Sequence, residues 1–269
     1  MKLLRHIITV VCIAASFVAN AGEQLTANPL RAAEPRTVSD LGLTLMPIPA
    51  GSFDMGSLDG DGDERPVTRV TISAGFWMGK TEVTQGQWRA IMGNNPSAFK
   101  GDDQRPVECV SYDDALAFCR KLTERERAAG RLPDGYAYAL PTEAQWEYAC
   151  RAGTTGQYAG DLDTMAWYRA NSGSQTHPVA QKQANAWGLH DMHGNVWEWC
   201  ADWYADTLPG GSVRDYTGAS SGSGRTSRGG GLSFGADACR SANRNRSGVP
   251  NVYGGSLGFR LALAPEVSR

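Results

Sequence analysis

The feature that most constrains the fold is the end of helical periodicity at Arg151. Beyond this residue the sequence consists of short alternating segments separated by long stretches rich in Gly, Ser, Asn and Trp. The whole chain contains 32 Gly and 8 Trp among 269 residues. Glycine favours turns, and large aromatic rings stabilise loops when they are buried. The sequence therefore argues against a helical bundle and predicts a loop-rich fold held together by buried rings.

The part of the chain before Arg151 contains the helical patterns. Helices are predicted over 84–92, 111–129 and 142–151, and Thr84 and Ser111 are the expected N-cap residues. Cys119 lies on the apolar stripe of the second helix, so it is predicted to be a core residue. The alternation of Leu41, Leu43 and Leu45 predicts a strand. Together these patterns predict an α+β fold.

The N-terminus has the pattern of a signal peptide over residues 1–21. A basic start is followed by an apolar stretch over 7–18 and a small-x-small cleavage site at 19–21. Because the apolar stretch is too short to span a bilayer, a retained membrane anchor is the weaker alternative. The protein is expected to be exported, to the periplasm or outside the cell, with no stable membrane span after cleavage. A flexible leader is predicted over 22–40 and a single domain over 41–265.

Charge and cysteine content narrow the classes of partner and ligand. The net charge is −2 and no basic run occurs, so a nucleic-acid partner is not expected. Cleavage after residue 21 removes Cys12 and leaves five cysteines. Disulfides can form in an exported protein, but an odd number leaves at least one thiol unpaired. Their spacing does not match a structural zinc site.

Five stretches, in the same order, resemble the formylglycine-generating-enzyme family, also called sulfatase-modifying factors. These stretches are residues 53–56, 80–84 with Trp88, 131–133 with 140–148 after a short insertion, 188–199, and 228–230 with 257–260. The resemblance extends from about residue 43 to residue 263. It implies a fold that is related to C-type lectins, mixed in helix and strand, and poor in regular structure.

The resemblance also implies a structural calcium ion in the central loop. The positions that match the family ligands are Asp191, Gly194, Val196 and Glu198. A mixture of carboxylate and carbonyl oxygens is what calcium prefers. The alternative is that both carboxylates only cap turns or bind backbone amides. The acidic loop over 59–64 is predicted to be a solvated turn, because its spacing does not match an EF-hand.

The family's redox site is altered in this chain. Family enzymes oxidise a sulfatase cysteine with oxygen, using copper held by two cysteines. Cys239 matches the second of these, but Phe234 occupies the first position and Gly231 replaces a nearby serine. A single thiolate cannot supply the two soft ligands of a linear copper(I) site. Cys239 would be catalytic only in an oxidase, and it is instead predicted to be buried or disulfide-bonded.

The C-terminal segment resembles that of variable proteins that are diversified by retroelements. The stretches 239–245 and 258–262 match the constant parts of that pattern. Most residues between Ser233 and Ser256 that lie outside these stretches can be reached from an Asn codon by changing adenines alone. An ordinary family member with small loop residues is the alternative, and the sequence leaves both open.

These observations predict a lectin-like binding scaffold that presents residues 231–256 to an unidentified protein or glycan. Phe234, Arg246 and Tyr253 are the expected contacts, because aromatic and arginine side chains dominate binding surfaces. The rival function is enzymatic, either a copper-dependent formylglycine-generating oxidase with a sulfatase partner or another non-haem metal oxygenase. The copper oxidase would require a second cysteine close to Cys239. Candidate bases or iron ligands for it are His177, His190 and His193.

Overall fold

The computed structural model describes residues 34–248 and 255–266. The signal peptide predicted over 1–21, most of the predicted leader and the predicted contact Tyr253 lie outside the described residues. No helix within the described ranges is long and apolar enough to cross a membrane.

The three predicted helices are confirmed. Each begins at a capping box, in which Thr84, Ser111 or Thr142 accepts a hydrogen bond from the residue three positions later. A fourth helix of a single turn, capped by Asp161, was not predicted because it is too short to show periodicity. The helices of the described part are α1 Gln85–Met92, α2 Tyr112–Ala128, α3 Glu143–Arg151 and α4 Leu162–Met165. Short 3-10 turns lie at Ser39–Leu41, Gly62–Glu64 and Ala236–Cys239.

The strands form three small sheets whose pairing is mostly antiparallel. The strands are β1 Arg36–Val38, β2 Leu43–Ile48, β3 Gly51–Met55, β4 Thr68–Ile72, β5 Phe76–Gly79, β6 Tyr136–Ala139, β7 Trp197–Trp203, β8 Ser212–Arg214, β9 Arg225–Arg228, β10 Asn245–Ser247, β11 Leu257–Gly258 and β12 Ala262–Pro265. The sheet orders are β1-β2-β5-β12-β6, β10-β9-β7-β11 and β3-β4-β8. This mixture of helices and separate sheets is α+β, as predicted.

The boundary of the ordered domain differs from the predicted one. Residues Arg36–Val38 lie in the segment assigned to a flexible leader, yet they pair with β2 and Val38 is buried. A strand of three residues is too short for its alternation to be recognised in the sequence. The domain therefore begins before residue 41.

The apolar core is divided into two clusters. In the first, Trp88 of α1 stacks on Phe118 of α2, and both rings meet the edge of Phe259 at centroid distances of 6.0 and 5.5 Å. The second lies between α3 and the β3-β4-β8 sheet and contains Trp146. Burial of Trp146, Trp197 and Trp199, at 0%, 5% and 0% exposure, confirms the prediction of buried rings.

Buried ion pairs join parts of the chain that are far apart in sequence. Arg228 is fully buried and contacts Glu147 at 2.5 Å and Glu143 at 3.0 Å. Arg244 donates two further hydrogen bonds to Glu143. Because each guanidinium faces a carboxylate, these charges are compensated inside the protein. The family-like stretches around α3 and β9 are therefore held against each other by charge as well as by packing.

Candidate functional site

The central loop between residues 188 and 196 has a backbone shape that few sequences allow. Asp191 and Asn195 have φ angles of 57° and 59°, and Gly194 has a φ of 93°. A side chain at Gly194 would overlap the carbonyl of Trp167. Asparagine, aspartate and glycine tolerate this left-handed region best. The sequence thus forces a tight loop that ends where β7 begins.

Two residues that hold this loop were not singled out by the sequence analysis. The Asn195 side chain accepts a hydrogen bond from the His177 N–H at 3.0 Å and donates one to Glu82 Oε2 at 2.8 Å. The other oxygen of Glu82 accepts the N–H of Val196 at 3.1 Å. Glu82 is in the second family-like stretch, and its acidic side chain was the signal that could have identified it. The contact could not be predicted because Glu82 and Asn195 are far apart in the sequence.

Asp191 and Glu198, the predicted calcium ligands with side chains, are both buried at this loop. Asp191 Oδ2 accepts the Ala180 N–H at 2.7 Å, whereas the buried Oδ1 atom has no hydrogen-bond partner among the described residues. Glu198 accepts two hydrogen bonds from Arg260, each at 2.6 Å, and one from the Trp146 indole at 2.7 Å. Glu198 Oε1 receives only one of these three bonds, which leaves it a lone pair.

The charges around the loop are unbalanced. Glu82, Asp191 and Glu198 interact electrostatically, and Arg260 is the cation that acts on all of them. Burial raises the pKa of Asp191 to about 6. Burial, and then the charges of Asp191 and Glu198, raise the pKa of Glu82 well above its usual range. Asp191 Oδ1 is buried without a partner among the described residues, and carboxylate oxygens are the donors that a hard cation prefers. Gly194 and Val196 lie within the same loop.

The residues at the family's redox site have different environments. Cys239 is fully buried at the end of the 3-10 turn, and burial, with smaller contributions from Asp237 and Cys150, raises the pKa of its thiol to about 12. Phe234 is 39% exposed, and its ring meets Trp197 edge-on at a centroid distance of 5.4 Å. A thiol with such a pKa stays protonated at neutral pH when no metal is bound.

Cys150 is the described cysteine whose charge acts on Cys239. All five described cysteines are free thiols, which confirms the expectation of at least one unpaired thiol. The Cys150 sulfur lies 3.6 Å from the Ser241 hydroxyl and 3.7 Å from His193 Nε2. Burial raises its pKa to about 12 as well, so Cys150 is a neutral neighbour of Cys239.

The three candidate histidines all bind backbone carbonyls. His193 Nδ1 donates to the Cys239 carbonyl at 2.7 Å, while its Nε2 accepts the Ala159 N–H at 3.1 Å. Burial lowers its pKa to about 4, so His193 is a neutral structural residue. His177 and His190 donate to the carbonyls of residues 172 and 182, each at 2.8 Å. These bonds fix the orientation of the rings.

Within the described ranges, Asp61, Asp63 and Glu64 are the one group of three potential metal-ligating side chains. The prediction of a solvated acidic turn was wrong for Glu64, which is fully buried. Its carboxylate is paired with Arg240 at 2.6 and 2.8 Å. Asp61 also contacts Arg240, at 3.4 Å. Two of the three carboxylates therefore already have the Arg240 guanidinium as a partner.

Phe234 and Arg246, the two predicted ligand contacts that the structure describes, are exposed and lie on different strands or loops of the same sheet. Phe234 packs on Trp197 of β7, whereas Arg246 lies on β10 and bonds the Ser223 hydroxyl. Strand β9 separates β7 from β10. A ligand that contacts both side chains would have to extend across the edge of this sheet.

A family model described as the Sulfatase-modifying factor enzyme 1-like domain matches residues 31–265. The chain belongs to this family. The resemblance stated from the motifs, and the fold expected from it, are thereby confirmed.

Two curated proteins with different names are similar to this chain. Chaperone protein LppX of Paenibacillus barcinonensis is 37% identical over 183 residues, which are 51% of this chain and 65% of LppX. The formylglycine-generating enzyme of Streptomyces coelicolor is 32% identical over 210 residues, which are 70% of this chain and 61% of that enzyme. The matched region thus covers less than two thirds of either relative.

Among solved structures of similar fold is variable protein 1 of Treponema denticola. It superimposes with a TM-score of 0.78 at 37% sequence identity. The superposition covers 86% of this chain and 99% of that protein. The Treponema denticola protein is therefore similar to this chain over nearly the whole of its own length.

Proposed function

We propose that this family member is an exported, calcium-stabilised binding scaffold that presents residues 231–256 to a protein or glycan ligand. The observation that carries the proposal is the environment of Phe234. An exposed aromatic ring, supported edge-on by Trp197, stands where the family's first copper-ligating cysteine is expected. Exposed aromatic rings on a rigid support are typical of binding surfaces.

The state of Cys239 supports binding rather than oxidation. Its thiol is buried, protonated at neutral pH and adjacent to Cys150, another protonated thiol. Copper(I) requires deprotonated sulfur ligands. The names of two relatives, a variable protein and a chaperone, are also those of proteins that are not described as oxidases.

Calcium is proposed to stabilise the central loop. Asp191 Oδ1 is buried without a partner, and the neighbouring carboxylates outnumber the guanidinium. A divalent cation bound by Asp191 and Glu198, with the carbonyls of Gly194 and Val196, would compensate this negative charge. The bound ion would then fix the loop from which β7 begins.

The rival function rests on the relationship to a formylglycine-generating enzyme, 32% identical over 70% of this chain. It would require copper at Cys239 and a sulfatase as the partner. No cysteine with a lowered pKa is present among the described residues to serve as the second thiolate.

The binding function can be tested with paired variants of the exposed surface. The wild-type protein, Phe234→Ala and Arg246→Ala are immobilised and exposed to a surface-protein fraction and to a glycan array. A ligand retained by the wild type should bind at least about tenfold more weakly to Phe234→Ala. Lys121→Ala, at an exposed position of α2, is the control and should bind normally. If a ligand binds all four proteins equally, its binding site lies elsewhere on the protein.

A further inference from the structure

A second candidate site lies away from the surface formed by Phe234 and Arg246. It is a cleft of about 610 Å³ between β3, the loop after it, and the segment 153–157 that follows α3. Neither Phe234 nor Arg246 lines this cleft. Its volume is within the range of sites that hold small molecules.

One wall of the cleft is a continuous set of aromatic rings. Phe53 lies 5.3 Å from Tyr148, and Tyr148 meets Trp187 edge-on at 4.8 Å, measured between ring centroids. Phe53 and Tyr148 are nearly buried, so their positions are fixed by the core, whereas Trp187 is half-buried. The Tyr148 hydroxyl has no hydrogen-bond partner among the described residues. The wall thus offers an apolar face with a free polar group.

The opposite rim carries polar side chains that do not form ion pairs. Thr155 and Gln157 are exposed, and the described residues offer their side chains no hydrogen-bond partner. Ser57 and Thr154 also line the cleft, and their hydroxyls bond nearby backbone groups. The rim can therefore both donate and accept hydrogen bonds.

The charges of the cleft are already paired. Arg151 donates two hydrogen bonds to Glu147, at 2.8 and 2.9 Å, and Arg240 is paired with buried Glu64. Arg69 pairs with Asp54 at 3.2 Å. An anionic ligand would therefore find no free cation here. Asp59 is the unpaired anion of the lining, and it is exposed at the rim, where water screens its charge.

From this arrangement we infer that the cleft binds a short neutral oligosaccharide. The apolar face of a sugar ring can lie against half-buried Trp187, while its hydroxyls bond Gln157, Thr155 and the free Tyr148 hydroxyl. A purely apolar ligand would leave these polar groups without partners. The segment 231–256 contributes only the buried residues Arg240 and Ala242 to the cleft, so the exposed contacts Phe234 and Arg246 lie outside it.

The experiment uses the whole protein and a panel of neutral di- and trisaccharides of glucose, galactose, mannose and N-acetylglucosamine. Binding is detected by saturation-transfer NMR and quantified by calorimetry. At least one sugar should bind, and Trp187→Ala should weaken it about tenfold or more because the stacking face is lost. Thr155→Trp, which places a large ring on an exposed rim position, should block binding without touching the core.

Phe234→Ala is the matched control and should bind the sugar as the wild type does. Loss of sugar binding in Phe234→Ala but not in Thr155→Trp would assign the sugar to the other surface and overturn the inference. Absence of binding by the entire panel at millimolar concentration would also overturn it. The inference would also be overturned if the protein bound a sulfated sugar or a lysine peptide tightly but bound none of the neutral sugars. If Trp187→Ala fails to fold, Thr155→Trp alone decides the outcome.

Discussion

The carboxylate of Glu198 receives two hydrogen bonds from the guanidinium of Arg260, each 2.6 Å long, and both side chains are fully buried. This pair joins the start of β7 to the segment before β12. Removal of one partner would leave the other charge buried and uncompensated. We therefore expect Glu198→Ala to lower the free energy of unfolding by about 3–5 kcal/mol, whether or not calcium is present. Denaturant unfolding in chelator measures this loss, and a loss below about 1 kcal/mol would contradict the pairing.

Because Glu198 has this second role, Asp191 provides the cleaner test of calcium. Calcium at a concentration of about 100 times its Kd stabilises a protein by about 2.7 kcal/mol. Chelator should therefore lower the wild-type Tm by about 5 °C or more. Asp191→Asn should remove this response, whereas exposed Asp113→Asn should keep it. An unchanged wild-type melting curve, with no calcium found by elemental analysis, would reject the site.

Local patterns in the sequence were sufficient to predict the longer helices of this fold but not its long-range contacts. The helices could be predicted because each capping box joins residues three positions apart, such as Ser111 and Asp114. The ion pair of Glu147 with Arg228 could not be predicted, because the two residues are 81 positions apart and no local sequence pattern indicates their contact. Glu82 was missed as a support of the central loop for the same reason. The burial of Cys239 was predicted and is confirmed.

A pH dependence is expected from Asp202, which is buried beside Glu143. Its Oδ2 atom accepts the Glu143 N–H at 2.7 Å, and its Oδ1 atom has no partner among the described residues. Burial, and then the charge of Glu143, raise its pKa to about 8. Between its ordinary pKa and about 8 the folded protein holds a proton that the unfolded chain has lost. The contribution of Asp202 to stability therefore falls as the pH rises through this window.

Asp202→Asn should relieve this effect, because the amide oxygen can still accept the Glu143 N–H and carries no charge. We expect the variant to be more stable than the wild type by roughly 1–3 kcal/mol at pH 8, with the difference disappearing near pH 4. Thermal unfolding of both proteins across this range measures it. A constant difference at all pH values would show that Asp202 does not titrate in the folded protein.

Substitution of a buried tryptophan should destabilise the protein more than substitution of the tryptophan that lines the cleft. Trp146 is fully buried and donates a hydrogen bond to Glu198, so Trp146→Ala should cost about 3–5 kcal/mol. Trp187 is half-buried, and Trp187→Ala should cost clearly less. Equilibrium unfolding of the two variants makes the comparison. An equal loss would mean that the aromatic wall of the cleft is part of the core.

The remaining prediction concerns chemistry: the purified protein should not convert cysteine to formylglycine in a sulfatase-motif peptide, even with copper(I) and oxygen. Copper(I) binds two thiolates in nearly linear geometry, and Phe234 supplies none. Cys239 holds its proton because it is buried, and Gly230 packs so closely that an added side chain would touch its sulfur at 2.6 Å. Mass spectrometry of the peptide detects the loss of sulfur and the gain of an aldehyde.

The formylglycine-generating enzyme of Streptomyces coelicolor, assayed in parallel, shows that the conditions support turnover. Cys239→Ser and Cys119→Ser are the matched variants, since Cys119 is buried in the first core cluster, to which Cys239 does not belong. Turnover by the wild type that is lost in Cys239→Ser and kept in Cys119→Ser would establish an oxidase. Cys150, whose thiol acts on the pKa of Cys239, would then be the first candidate for its second sulfur ligand.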